Sequence, residues 1–377
     1  MVGQPKATNK SAKEVRRIGN LFEKVVDIGN LRLADEKARK GKRHSFGVRL
    51  HDKAREENLR ELQRQLIEGT FRTSEYSVFT IHEPKERQIY RLPYYPDRIL
   101  HHAIMNVLEP IWTSVFTADT YSCIKGRGIH AAARKLKKAL RTDAENCVYC
   151  LKIDITKFYP SLSHDVLKKI IRRKLKDARL LALLDEIIDS APGLPIGNYL
   201  SQSLANLSLT YFDHWAKERL RLKHYFRYAD DIVVLHKDKR YLNSVLAYIE
   251  AYLSGRLQLD VKQNKQIFPV AVNHKDKHGR GIDFLGYVFY KSETRLRKSI
   301  KQAFCRKAIK LARQRASADT FRQSVAAWWG WCKHCRSQRL IETLNEKLGH
   351  YENYFGQEAV GNTATRERRV LLQLQHR

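Results

Sequence analysis

The chain has 377 residues, of which 43% are hydrophobic and 10% aromatic, enough apolar surface to fold and more length than one ordinary core needs. Its 71 Lys and Arg against 40 Asp and Glu leave a formal net charge of +31, which repels itself unless a polyanion neutralises it. That balance points to nucleic acid, through phosphate contacts and counterion release, and excludes a protein that is merely soluble and slightly basic. No apolar run reaches the length of about 18 residues that a membrane span needs, and no basic amphipathic anchor or lipidation signal appears. MVGQPKATNK has no apolar signal core, so no membrane partner and a cytoplasmic location, in the cytosol or nucleoid space, are expected.

The first 45 residues are basic and punctuated by glycine, and partial mobility is expected there. Charged and apolar residues alternate at helical spacing over 51–69, closing at Gly69. Tyr76–Ile81 alternates as a strand, Pro84 and Pro93 punctuate the next stretch, and 98–111 is an apolar-rich helix. Residues 148–155 read as a buried strand. Ser163 then caps a helix to about Leu175, with Asp165 favourable in its first turn. A short helix over 180–190 and the loop Pro192-Gly193-Leu194-Pro195 follow. The apolar positions 200, 204, 207, 211 and 215 form one helical stripe. Two strands, 225–228 and 232–236, flank Ala229-Asp230-Asp231 as a hairpin. A helix over 240–253 ends near Gly255, strands occupy 257–270 and 282–290, and the chain is basic and helical after 299. There is no internal repeat, and the alternation of elements predicts an α+β fold.

Two CxxC pairs, Cys147/Cys150 and Cys332/Cys335, have the spacing of half zinc sites. The first runs straight into a strand, whose neighbours point to opposite faces, and the second lies in a Trp-rich helical stretch. Reduced structural thiols are the expected reading.

Polar residues interrupt the apolar strands at two places, Asp154 in CLKIDITKFYPS and Asp230-Asp231 in YFRYADDIVVLHK. Carboxylates beside buried strands need partners, because an unpaired buried charge is costly. Mg²⁺ takes hard oxygen ligands and leaves room for phosphate oxygens. Two such ions can stabilise the attacking and leaving oxygens of an in-line displacement, which requires carboxylates from neighbouring strands. Ordinary strand-end and turn aspartates are the alternative for either motif taken alone.

Tyr228-Ala229-Asp230-Asp231 resembles the YxDD box of reverse transcriptases. Asp154 is similar to the family's upstream aspartate, Gly193-Leu194-Pro195-Ile196-Gly197 to its middle motif, and Phe284-Leu285-Gly286-Tyr287 to its primer-grip turn. Glu83-Pro84-Lys85-Glu86-Arg87 with Pro96-Asp97-Arg98 resembles the first finger motifs, and Tyr121-Ser122-Cys123 with Lys125-Gly126-Arg127-Gly128 the second. The resemblance implies a right-hand polymerase with fingers in 1–146, a palm in 147–298 that carries a fingers segment near 165–198, and a helical thumb in 299–377. It implies two Mg²⁺ ions, with Mn²⁺ as a substitute, on Asp154, Asp230, Asp231 and the Ile155 carbonyl, and dNTP substrates. Tyr159 falls at the family's steric gate against the ribose 2′-hydroxyl. Lys85 and Arg87 would meet the triphosphate. Lys265, after Leu257-Gln258-Leu259, would protonate pyrophosphate. Core packing for Tyr159, a solvated loop for Lys85 and Arg87, and an edge-strand lysine for Lys265 are the plain alternatives. Trp328-Trp329-Gly330-Trp331 fits a thumb on the template–primer duplex, or core packing.

Ile196-Gly197-Asn198-Tyr199-Leu200-Ser201-Gln202 is similar to the I-G-x-x-x-S-Q signature of diversity-generating retroelement enzymes, where intron and retron enzymes show Q-G-x-x-x-S-P. Ile196 thus stands where a glutamine contacts the incoming nucleotide, and Gln202 where a proline is usual. Isoleucine forms no side-chain hydrogen bond, so loosened selection against mispairs is expected. The resemblance implies misincorporation at template adenines, a structured template RNA copied into an RNA/cDNA duplex, and a small basic helical accessory protein that is oligomeric. It also implies a bacterial or phage-encoded enzyme with no room for an RNase H domain or an endonuclease tail. A phage-defence or abortive-infection reverse transcriptase, or a non-catalytic RNA-binding scaffold, are the alternatives.

Overall fold

A computed structural model describes residues 17–82 and 86–348. In chain order, the helices α1 (Phe22–Val26), α2 (Ile28–Ala38), α3 (Phe46–Asp52) and α4 (Arg55–Glu68) precede the hairpin β1 (Ser77–Ile81) and β2 (Arg87–Arg91). Then come α5 (Ile99–Val115), α6 (Ile129–Thr142), β3 (Tyr149–Asp154), α7 (His164–Arg172), α8 (Ala178–Asp189), α9 (Tyr199–Ser208) and α10 (Thr210–Glu218). The hairpin β4 (His224–Tyr228) and β5 (Asp231–His236) is followed by α11 (Lys239–Tyr252), β6 (Gln266–Pro269), β7 (Ile282–Phe284), β8 (Tyr287–Phe289) and β9 (Thr294–Leu296). The last described helices are α12 (Lys298–Arg313), α13 (Ala318–Cys332) and α14 (Gln338–Leu348). Helices and antiparallel strand pairs mix along the chain, as the α+β expectation requires. Among the described residues no helix is long and apolar enough to cross a membrane.

The chain divides into two compact units. The first holds the described residues up to Lys125 with Ile153–Lys223 and Ser244–Lys265. Its core is built on α5, which presents Ile99, Leu100, Ala103, Ile104, Leu108 and Trp112 to the interior. Leu31 and Ala34 of α2 are buried with them, and the Asn30 side chain donates to the carbonyl of Ala103 at 3.1 Å. A buried charge cluster ties these helices together. The Asp35 carboxylate, with no exposed surface, accepts from Tyr94 Oη at 2.5 Å, Arg39 at 2.6 Å and Arg55 at 2.6 Å. A buried carboxylate is tolerable only when saturated with donors in this way.

The second unit holds Gly126–Lys152, His224–Asn243 and the described residues from Gln266. A four-stranded sheet runs β4-β5-β3-β6, and a separate three-stranded sheet runs β7-β8-β9. Tyr225, Phe226, Ile232, Val233 and Val234 fill the interior around the β4–β5 hairpin, and Phe284, Tyr287 and Phe289 fill that around the smaller sheet.

Four expectations are corrected. Residues 17–45 are folded: Leu21, Phe22, Val25, Val26 and Leu31 are buried, and Asp177 accepts from the Leu21 and Phe22 amides at 2.7 and 2.9 Å. Their partners lie some 150 positions away, so the local sequence looks merely basic; residues 1–16 lie outside the described residues. The stripe from 200 to 215 is two helices parted at Leu209 (φ −97°, ψ 1°). The Ser208 and Thr210 hydroxyls bond back to the Ala205 and Asn206 carbonyls at 2.8 and 3.3 Å, a local competition that bends helices. The strand expected over 257–270 shrinks to β6, because 253–257 is a π turn and Gln258 takes φ 58°. α13 ends at Cys332, so Cys335 lies beyond the helix. Ser163 holds the N-cap position of α7, although its side chain makes no capping hydrogen bond.

Candidate active site

β3 carries an apolar run, Leu151 and Ile153 being buried, up to Asp154, its last residue. Beyond it, Ile155 pairs with Val261 in an isolated antiparallel bridge. That bridge is held by the Lys262 amide donating to the Asp154 carbonyl and the Thr156 amide donating to the Asp260 carbonyl, each at 2.8 Å. Ile155 is therefore the non-hydrogen-bonded member of the ladder, and its carbonyl is not consumed by the bridge. The same ladder delivers Lys262, whose Nζ lies 2.8 Å from Asp154 Oδ2. The other oxygen, Oδ1 of Asp154, is buried and accepts no hydrogen bond. Lys265 does not join this pair; it forms an ion pair with Glu250 on α11.

In the second unit, β4 and β5 pair so that Tyr228 faces Asp231 across a two-residue turn of Ala229 and Asp230. Ala229 takes φ 53°, a left-handed conformation that an L residue adopts at some cost. The fully buried Arg227 holds it there, donating from Nη1 to the Ala229 carbonyl at 3.1 Å. Asp231 heads β5, the strand beside β3 in the sheet order, and lies 3.8 Å from Lys152 Nζ on β3.

Among the described residues no group of three or more His, Cys, Asp or Glu side chains is placed to hold a metal ion. Each unit offers hard oxygen donors of the kind a divalent cation takes: in the first an orphaned carboxylate oxygen on Asp154 and the Ile155 carbonyl, and in the second the paired carboxylates of the hairpin turn. Lys262 and Lys152 supply positive charge beside Asp154 and Asp231. The cysteines offer no comparable set: Cys147, Cys150 and Cys332 are buried thiols in no disulfide. Burial pushes Cys332 up to about 12 and Cys335 to about 11, so neither supplies thiolate near neutral pH.

A second cluster lies within the first unit. The loop 192–197 folds over Tyr159 and Pro160, with the Leu194 amide donating to the Tyr159 carbonyl at 2.8 Å. Tyr159 is half-buried, its ring edge-on to Phe158 at 5.6 Å. The Ile196 carbonyl accepts from the Tyr90 amide at 2.8 Å, which fastens the loop to β2, the strand that Arg87 begins. Tyr159, Ile196 and the Arg87 strand are thus brought together, with Ile196 half-buried and Arg87 exposed. Gln202 stands apart on the exposed face of α9, accepting from Cys123 Sγ at 3.2 Å. Lys85 lies outside the described residues.

Two glycines make that packing possible. A Cβ on Gly193 (φ 61°) would sit 2.5 Å from the Pro160 carbonyl oxygen, and one on Gly197 (φ 124°) 2.6 Å from that of Tyr90. Both obstacles are backbone, which cannot swing aside. Gly197→Ala is expected to cost about 1–3 kcal/mol in strain alone. In thermal melts that should appear as a loss of roughly 2–10 °C in Tm. An unchanged Tm would show that the loop does not lie against β2.

Sequence reasoning missed Lys262, Lys152 and Arg227. Lys152 had a detectable signal, two residues before Asp154 on the same strand, whereas Lys262 had none, because the bridge that delivers it joins distant segments. Arg227 had none beyond being a charge inside an apolar strand.

A family model described as reverse transcriptase (RNA-dependent DNA polymerase) matches residues 82–289. The chain is similar to protein YkfC of Escherichia coli, 26% identical over 54% of this chain and 63% of that protein. It is also similar to the group II intron-encoded protein LtrA of Lactococcus lactis, 21% identical over 57% of this chain and 38% of that one. It spans less than two thirds of the length of either. Among solved structures, apo telomerase of Candida tropicalis aligns with TM-score 0.46 and 11% identity over 73% of this chain and 59% of that one.

Proposed function

The chain belongs to the reverse transcriptase family, and from that premise we propose that it is an RNA-directed DNA polymerase that copies a template RNA into cDNA. One observation carries the reading: the family match encloses Asp154, the last residue of β3, Asp231, the first of β5, and Asp230 in the turn just before it. Asp154, Asp230, Asp231 and the Ile155 carbonyl would hold two Mg²⁺ ions, or Mn²⁺, which supply charge stabilisation to the attacking and leaving oxygens. Arg87, with Lys85, binds the triphosphate of the incoming dNTP, and Tyr159 excludes a ribose 2′-hydroxyl. Lys265 protonates the pyrophosphate, released from Glu250 when substrate arrives. Fingers, palm and thumb correspond to 1–146, 147–298 and 299–377, with a fingers segment near 165–198. The enzyme acts in the cytoplasm, on RNA and the RNA/cDNA duplex, with a small basic helical accessory protein.

The finer reading is a diversity-generating role, with errors at template adenines. Its support is Ile196, half-buried on a loop that touches both the Tyr159 segment and β2. An apolar side chain there offers no hydrogen bond to an incoming nucleotide, so a mispair loses nothing that a correct pair keeps.

Primer extension on a defined RNA with Mg²⁺ and dNTPs, followed by sequencing of the product, tests both levels. Template-dependent DNA is the expected product, with substitutions concentrated opposite adenine. Ile196→Gln should lower that error rate by about tenfold, corresponding to one recovered hydrogen bond of about 1–1.5 kcal/mol. Accurate copying by the wild type would leave the polymerase and remove the mutagenic role. Failure to copy any RNA, with its own template and accessory protein supplied, would remove both.

A further inference from the structure

The second unit contains a cavity of about 610 Å³ outside the residues placed in catalysis. Its charged lining comes from three segments: Lys275 on the loop before β7, Glu293 and Arg295 at β9, and Arg336, just before α14, with Arg339 and Glu342 on that helix. Glu293 builds the site. Its side chain is 5% exposed, and it receives the His274 amide at 3.0 Å, the His274 ring at 2.5 Å and Arg336 at 3.3 Å. The Arg336 amide in turn donates to the Thr294 carbonyl at 2.8 Å, which lays this segment along β9. Among the described residues no ion pair engages Lys275, Arg295 or Arg339. Four cations against the two carboxylates of Glu293 and Glu342 leave the lining net positive, and an anion relieves the remaining repulsion.

An adjoining cavity of about 350 Å³ shares Arg295, Arg336 and Arg339, and the rest of its lining sets the apolar side chains of Leu296, Ile309, Leu340 and Leu344 beside Lys301, Cys305, Ser337 and Thr343. An anion-binding rim with an apolar chamber behind it fits a ligand that joins a phosphate to a flat apolar group. Arginine forks match phosphate oxygens in pairs, and aliphatic side chains accept the face of a base. The combined space is of the size usual for a small-ligand site.

We propose that these two cavities bind one nucleoside phosphate, free or as an unpaired unit of an RNA strand, with its phosphate on Arg295, Arg336 and Arg339 and its base against Leu340 and Leu344. The site is independent of the polymerase reading, because it uses none of the carboxylates or nucleotide-cluster residues above.

The full chain carrying Asp230→Asn provides the test, since binding is then read without synthesis. Fluorescence anisotropy follows a labelled single-stranded RNA of about 12 nucleotides, a length within the span of known single-strand sites. Arg295→Ala with Arg339→Ala should weaken binding by about tenfold and make the salt dependence shallower by about 1.4, two phosphate contacts at the single-strand value. Leu340→Asp should weaken the same strand, while a blunt duplex of equal length should lose less than about twofold in either variant. Arg339 is exposed, so Arg339→Ala alone, expected to cost about threefold, stands in if the double variant melts early. AMP displacing the strand from the parent but not from the variants identifies the free nucleotide as a ligand; displacement by RNA alone identifies the strand. Unchanged single-strand affinity, equal losses for the duplex, or polyglutamate displacing the RNA as well as AMP would each overturn the proposal.

Discussion

Asp230→Asn should abolish DNA synthesis in primer extension, with a loss of about a thousandfold or more. Asparagine keeps the size of the side chain and is as comfortable as aspartate in a tight turn, so the β4–β5 hairpin should form unchanged. What disappears is one negative charge from a set of hard oxygen donors. Charge stabilisation by a bound metal ion amounts to several kcal/mol in the transition state, and each 1.36 kcal/mol is tenfold in rate. Single-turnover extension on a preformed RNA/DNA duplex is the measurement, beside a thermal melt to show that the fold is retained. Extension within about tenfold of the parent would mean that Asp230 is only a turn residue. Arg227 holds the turn through the Ala229 carbonyl, so a lost melt would point to the turn, and a lost rate with the melt retained would point to the metal.

The second large effect is on stability. Asp35→Asn should destabilise the first unit by about 3–5 kcal/mol, the usual consequence of removing one partner from a buried ion pair. In melts that corresponds to roughly 6–20 °C. Arg39, with a side chain 11% exposed, keeps only Asp52 at 2.9 Å as an acidic partner among the described residues. The effect should depend on pH. Burial alone would push the Asp35 carboxyl up, but Tyr94, Arg39 and Arg55 outweigh it and hold it below its ordinary value. A carboxyl depressed in the folded state contributes stability above its unfolded pKa of about 3.9, and that contribution fades as pH falls through the folded value. The Tm difference between parent and variant should therefore be full at neutral pH and narrow below about pH 4. A difference that is constant across this range would show that lost packing, and not charge, is responsible.

Much of the site was legible because its residues carry their own chemical signal. A carboxylate at the end of an apolar strand, as at Asp154, and a pair in a hairpin turn, as at Asp230 and Asp231, stand out against their neighbours whatever the fold around them. The β4–β5 hairpin was equally legible, since two apolar runs separated by a two-residue turn leave the backbone little choice. The glycines at 193 and 197 were visible as a loop motif. Their purpose, close approach to the carbonyls of Pro160 and Tyr90, was not.

Sequence by itself determined the α+β class and the family, and it singled out the acids at 154, 230 and 231 as candidates. These follow from residue type, periodicity and order along the chain, which are local quantities. Only the tertiary structure decided that Asp154 meets Lys262 while Lys265 meets Glu250, that residues 17–45 fold against Asp177 and α5, and that Arg295, Arg336, Arg339 and Lys275 share one cavity. Each of those facts is a contact between segments separated in sequence. Side-chain spacing along one strand or helix carries no information about which distant segment will supply the partner, and burial free energy summed over the whole core makes that choice.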